Sequence, residues 1–214
     1  ILFDLDGAIV HTAPDLMSAH NHVMKKFGHP TKELGDIKSL AGKGAWLMMQ
    51  RSFKKEVTDE KIKNEMTKEF IDYYSKNIAN DSKPFEGLFD FLDWAKSKNI
   101  SMAVCTNKQE KLAVDLLKRL NLFNYFEYVA GSDTFNYNKP DPRHLTDVVE
   151  IIGGDLKKTI MVGDSEVDEM AATNAKLPFI LVADGYTEKT VEQIKHDVLI
   201  KDYVGFDKII SKYL

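Results

Sequence analysis

Four short clusters of charged and hydroxyl-bearing residues could do chemistry together. They are Asp4-Leu5-Asp6-Gly7, Thr106-Asn107-Lys108, Lys139-Pro140-Asp141-Pro142 and Gly163-Asp164-Ser165, with Asp168 one turn further on. Asp4 and Asp6 lie two apart, so along an extended segment both carboxylates project to one side while Leu5 faces the core. Two adjacent carboxylates repel, and the pair demands a proton or a cation. Asp164 and Asp168 add to the negative charge. Carboxylates gathered in this way suit a hard, oxygen-seeking ion, with Mg²⁺ the leading candidate. Lys139 supplies a positive point charge and Thr106 a hydroxyl donor. A metal, a lysine and donors around a carboxylate describe a phosphate site with a nucleophile inside it. Taken singly, each cluster has a plainer meaning as a turn or a helix cap. Their order along the chain, each at the end of a strand, is what favours chemistry.

Those strands are read from short apolar runs. Ile1-Leu2-Phe3 ends at Asp4, Ser101–Cys105 ends at Thr106, and Thr159–Val162 leads into Gly163. Tyr128–Ala130 precedes the Lys139 cluster, and Phe179–Val182 and Val198–Ile200 complete the set. Helical periodicity lies between them, at 88–98, 110–120, 143–152 and 165–175, with a last helix from Gly205 to the end. Strands alternating with helices predict an α/β fold, a Rossmann-like parallel sheet with helices on both faces. In such a sheet, ligands bind beyond the carboxyl ends of the strands, where the four clusters fall. Residues 12–83 show helical spacing and no strand, as with Met66, Phe70, Tyr73 and Tyr74. They are read as an all-helical insertion into a core made of 1–11 and 84–214. Thr12, Pro14 and Asp15 form a helix start in which the acid is placed to reach back to the cap.

The 214 residues are 43% hydrophobic and 29% charged, an ordinary globular composition. A net charge of -4 provides no global field for nucleic acid or anionic lipid, so an anionic substrate needs a local device. Cys105 is the single cysteine, which excludes an internal disulfide and fits a reducing compartment. No apolar run approaches the ~18 residues that span a bilayer. The expected setting is the cytoplasm, as a monomer or homodimer acting on a small phosphorylated metabolite, with neither nucleic acid nor membrane as partner. The chain starts inside an apparent strand, so a natural start upstream is expected.

Phe3-Asp4-Leu5-Asp6-Gly7, Cys105-Thr106-Asn107-Lys108, Lys139-Pro140-Asp141-Pro142 and Gly163–Asp168 resemble the four motifs of the haloacid dehalogenase superfamily. The helical insert resembles that superfamily's C1-type cap. Ala13-Pro14-Asp15-Leu16 and the Gly42-Lys43-Gly44 loop resemble its phosphoglycolate phosphatase-like group. The resemblance implies a Mg²⁺-dependent phosphatase that works through an aspartyl phosphate. Asp4 would be the nucleophile, and Asp6 the acid that protonates the leaving oxygen and then the base that activates water. Thr106 would donate to the phosphoryl group, with Asn107 beside it, and Lys139 would offset its charge. The metal would be held by Asp4, Asp6 (through its carbonyl) and Asp164. Asp168 would orient Lys139 or a metal-bound water. Lys43 is the candidate for a second anion on the substrate, with Arg51 a weaker one, and 2-phosphoglycolate is the leading substrate. Pyrophosphatase, sugar-phosphate phosphatase, phosphoglucomutase and a non-catalytic phosphate binder are the alternatives. Ala8 and His11-Thr12 depart from the usual pattern, Ala8 by lacking a hydroxyl that would buttress the loop and His11 as a loop residue near the cap hinge.

Overall fold

The protein is described by a computed structural model over residues 1–41, 44–53 and 59–213. In chain order the elements begin with β1 (Leu2–Phe3), β2 (Val10–His11), α1 (Ala13–Lys26), α2 (Ile37–Leu40), α3 (Ala45–Phe53) and α4 (Glu60–Lys76). They continue through β3 (Lys83–Pro84), α5 (Leu88–Ser97), β4 (Ala103–Cys105), α6 (Glu110–Arg119), β5 (Tyr128–Ala130) and α7 (Arg143–Ile151). The last are β6 (Met161–Gly163), α8 (Glu166–Ala175), β7 (Phe179–Val182), β8 (Val198–Ile200) and α9 (Phe206–Ile210).

One six-stranded parallel sheet has the order β5-β4-β1-β6-β7-β8. Leu2 is level with Ala103 and Met161, and Phe3 with Val104 and Val162. The strands are apolar on both sides because helices cover both faces. Leu2, Ala103, Cys105 and Met161 pack with Leu145 and Val148 of α7 and Ala171 of α8. Phe3, Val104, Val162 and Ile180 point the other way, toward Leu92 of α5, Leu116 of α6 and Phe206 of α9. Phe3 is fully buried and meets Phe91 and Phe126 edge-on at ring separations of 6.3 and 6.0 Å. Burying a side chain of that kind contributes roughly 1.5–3 kcal/mol. The strand order turns about β1, with β4 on one side and β6 on the other. Such a reversal opens a crevice at the strand ends, and Asp4 is the first residue beyond β1.

Helices α1 to α4 form a cap inserted between β2 and β3. Met66, Phe70 and Tyr74 recur every four residues on α4 and are all buried, which is the stripe expected of an amphipathic helix. Tyr73 falls off that stripe and stacks on His22 at 4.0 Å. Two details differ from the sequence-based expectation. The chain leaves and re-enters the core through an antiparallel ribbon, in which Val10 pairs with Pro84 and His11 with Lys83. Strands of two residues are too short to show a period of two, so the ribbon was invisible in the hydrophobic pattern.

Asp15 is the second detail. Thr12 precedes α1 without a side-chain cap bond. Asp15 does not reach back to it but accepts from the backbone N–H groups of Asp81 and Ser82 and from the Ser82 hydroxyl, at 2.6–3.1 Å. A charged acceptor thus ties the start of the cap to its end. Asp15→Ala would strand the buried Ser82 donors and should cost about 1–3 kcal/mol. A urea midpoint that moves by less than the equivalent of about 1 kcal/mol would show that the tie does not stabilise the hinge.

Candidate active site

The parallel register sets the site. Because β1, β4 and β6 run side by side, Asp4, Thr106 and Asp164 all leave the sheet at the same edge. Asp4, Thr106, Asp164, Asp168 and Lys139 are all buried. Lys139 donates to Asp4 Oδ1 at 2.8 Å and to Asp168 Oδ1 at 2.5 Å. Burial alone would weaken the Lys139 ammonium, but the carboxylates of Asp168 and Asp4 outweigh it and raise its pKa. Burial pushes the Asp4 carboxyl up to about 6, against the pull of Lys139. Asp164 is raised well above the usual carboxylate range, first by burial and then by repulsion from Asp168 and Asp4.

Ser165 caps α8, and Asp168 is the third helical residue reaching back to it. Asp168 Oδ2 accepts from the Ser165 hydroxyl at 2.7 Å and from the N–H groups of Ser165 and Asp164. The Gly163–Asp168 stretch is therefore both a helix cap and a part of the site. Asp168's two oxygens are committed to Lys139 and to the helix start. Its contact with Lys139 is the one the sequence pointed to for it.

Asp4, Asp164 and Asp168 each offer an oxygen within 4.8 Å of the others. Asp4 Oδ2 and Asp164 Oδ1 accept nothing from the described residues, so two carboxylates remain available to a cation. Asp164 is also closely cradled. A Cβ on Gly7 (φ 82°) or on Gly185 would overlap its carboxylate. The N–H of Tyr186 donates to Asp164 Oδ2 at 2.6 Å. This donor set, buried and with carboxylates in excess, fits a hard divalent ion.

Asp6 is paired differently. Lys108 Nζ donates to both its oxygens, at 2.8 and 2.7 Å. The same ammonium lies 4.7 Å from the centre of the Tyr74 ring of α4, so one lysine joins the core to the cap. Asn107 Nδ2 donates to the carbonyl of Lys139 at 3.0 Å, which fixes the Lys139 loop against β4. A cavity of about 50 Å³ opens here. Asp4, Asp6, Thr106, Asn107, Lys108 and Lys139 form its polar floor, and Leu16, Met48, Phe70, Tyr74 and Leu112 its apolar walls.

Of the candidates from sequence, Asp4, Asp6, Thr106, Asn107, Lys139, Asp164 and Asp168 converge at this edge. Lys43 lies outside the described residues. Arg51 does not line the cavity, and its guanidinium sits against the carbonyls of Ser39 and Ala41. His11 stacks on Phe85 at 3.6 Å in the ribbon, away from the cavity. The backbone at Ala8 is held from the core, since Tyr203 donates to the Ala8 carbonyl at 3.0 Å. Three contributors went unrecognised in the sequence. Lys108 followed Thr106-Asn107 directly and carried its own charge as a signal. Gly185 and Tyr186 lie beyond the fifth strand of the sheet, with nothing in their types to mark them.

A family model described as haloacid dehalogenase-like hydrolase matches residues 1–182. A phosphoglycolate phosphatase from Agrobacterium fabrum is 39% identical, over 99% of this chain and 94% of its own length. Another from Caulobacter vibrioides is 37% identical, over 97% and 89%. Among solved structures, a predicted phosphoglycolate phosphatase from Haemophilus somnus superposes with a TM-score of 0.91 at 27% identity, covering 97% of this chain and 96% of that one. The family and these relatives make the protein a phosphoric monoester hydrolase. With its six-stranded parallel sheet, its inserted helical cap and the acidic cluster at the strand ends, the chain belongs to the haloacid dehalogenase-like hydrolases.

Proposed function

We propose that the protein hydrolyses 2-phosphoglycolate with the help of Mg²⁺, through a phosphoryl group carried briefly on Asp4. The observation that carries this reading is the Asp4–Lys139–Asp168 triad at the end of β1, facing the cavity between the core and the cap. The two phosphoglycolate phosphatases that match nearly the whole chain support the choice of substrate.

Phosphoryl transfer asks mainly for positioning and charge stabilisation. Asp4 attacks phosphorus as the bond to the ester oxygen breaks. Asp6 gives that oxygen a proton, then takes one from the water that attacks the aspartyl phosphate. Lys139 keeps Asp4 aligned, is itself held by Asp168, and offsets charge on the transferring oxygens. Thr106 donates to the same group. Asp4, Asp164 and the Asp6 carbonyl would hold Mg²⁺, which supplies charge neutralisation to the phosphate when bound. Residues 12–83 act as the cap domain and 1–11 with 84–214 as the catalytic core. Lys43 is retained as a further contact for the substrate. The reading places the enzyme in the cytoplasm, as a monomer or homodimer.

A panel of phosphate esters with Mg²⁺, ranked by kcat/KM, tests the reading. 2-Phosphoglycolate should lead pyrophosphate, hexose phosphates and aryl phosphates by about tenfold or more, the worth of one well-made contact. A hexose phosphate or pyrophosphate at the head of the ranking would sink it, as would no turnover at all.

A further inference from the structure

We propose that Lys108 and Tyr74 together form the subsite for a second anionic group on the substrate. The inference rests on the reading of the protein as a phosphatase for a small phosphorylated acid. It concerns a part of the cavity that neither the motifs nor the comparisons assign.

Lys139 and Lys108 are the two cations that line the cavity among the described residues. Lys139 is clamped between two carboxylates, and its side chain is 2% exposed. Lys108 has a single carboxylate partner, Asp6, and its third hydrogen is left with the face of Tyr74. A ring face is a weaker partner for an ammonium than an anion is, so that contact can be exchanged when an anion arrives. Tyr74 adds the independent observation. It is 1% exposed, yet its hydroxyl has no hydrogen-bond partner. Buried hydroxyls are seldom left unpaired, and one lining a ligand cavity is a donor waiting for a ligand.

Beside these two groups the walls are apolar, with Leu16, Met48 and Phe70. An anion entering such walls unpaired would be strongly disfavoured, and among the described residues Lys108 is the lining cation that is not clamped between two carboxylates. A carboxylate one carbon from the ester oxygen is the chemistry that fits: short, planar and able to accept from an ammonium and a hydroxyl at once. Tyr74 belongs to the cap and Lys108 to the core. The same carboxylate would therefore hold the cap against the core while the phosphate is bound.

The test compares 2-phosphoglycolate with ethyl phosphate, which has the same two-carbon ester and no carboxylate. The readout is the ratio of their kcat/KM values. Wild type should favour 2-phosphoglycolate. Lys108→Met should lower the ratio by about ten- to a hundredfold, mainly through KM, as for loss of a charged hydrogen bond. Tyr74→Phe keeps the ring under the ammonium and removes only the hydroxyl, and should lower the ratio by about three- to tenfold. A merely structural role would depress both substrates together. If wild type has the preference and both variants keep it, or if each variant weakens both substrates equally, the subsite assignment is overturned. If wild type shows no preference for the carboxylate, the choice of 2-phosphoglycolate itself fails, a result distinct from the first. Tyr74→Phe preserves the packing, so the assignment stays testable even if Lys108→Met does not fold.

Discussion

Asp4→Asn should abolish turnover, by on the order of a thousandfold or more, and leave the fold in place. The amide is nearly isosteric, and its oxygen can still accept from Lys139. It is a poor nucleophile, however, and cannot carry the phosphoryl group. The metal-free variant should be no less stable than wild type at pH 7. Asp4 has its pKa raised to about 6, chiefly by burial, so in the folded protein the ionised form is disfavoured relative to an ordinary carboxylate. For an acid shifted upward, the unfolded chain releases its proton first as pH rises, and stability falls between roughly pH 4 and 6. An amide at that position escapes the loss. Thermal melts at pH 7 check the fold and initial rates check the chemistry. More than about a hundredth of wild-type activity, with contamination excluded, would argue against a covalent role for Asp4.

Removing divalent cations should be almost as severe. Asp4, Asp6, Asp164 and Asp168 gather four carboxylates around the two ammonium groups of Lys139 and Lys108. Two negative charges are left over before a phosphate dianion enters. Without a cation, that excess repels the substrate dianion, and below about pH 6 it also favours protonated Asp4, which is not nucleophilic. Exhaustive chelation should lower activity by at least about a hundredfold, and Mg²⁺ should restore it. Ca²⁺ should inhibit, because it prefers looser and higher coordination. The Mg²⁺ requirement should steepen as pH falls through about 6, where a proton competes for Asp4. Full activity after chelation, with no metal found by elemental analysis, would remove the ion from the account.

Much of this site was legible because strand ends in a parallel sheet carry their chemistry next to apolar runs. Asp4 follows Phe3, Thr106 follows Cys105 and Asp164 follows Gly163, so each residue could be placed once its strand was found. The longer helices were equally visible, since Met66, Phe70 and Tyr74 repeat at the spacing of one face. What escaped depends on tertiary neighbours. Asp15 has the type and position of a capping acid, yet two N–H groups 66 and 67 residues away compete successfully for it. The Val10–His11 and Lys83–Pro84 ribbon has no period to read. Tyr186 supports Asp164 through its backbone N–H, which no side chain advertises. Lys108 was in view beside Thr106, but its pairing with Asp6 and Tyr74 joins residues from three separate parts of the chain.

The central claim is that phosphate passes through Asp4. Wild-type protein mixed with saturating 2-phosphoglycolate and Mg²⁺, quenched in acid within the first turnover and digested, tests it most directly. The account predicts that the peptide carrying Asp4 gains the mass of one phosphoryl group, that the adduct is labile to base, and that Asp4→Asn lacks it. Steady release of phosphate from an active enzyme, with no phosphoryl adduct on that peptide at any quench time, would contradict it.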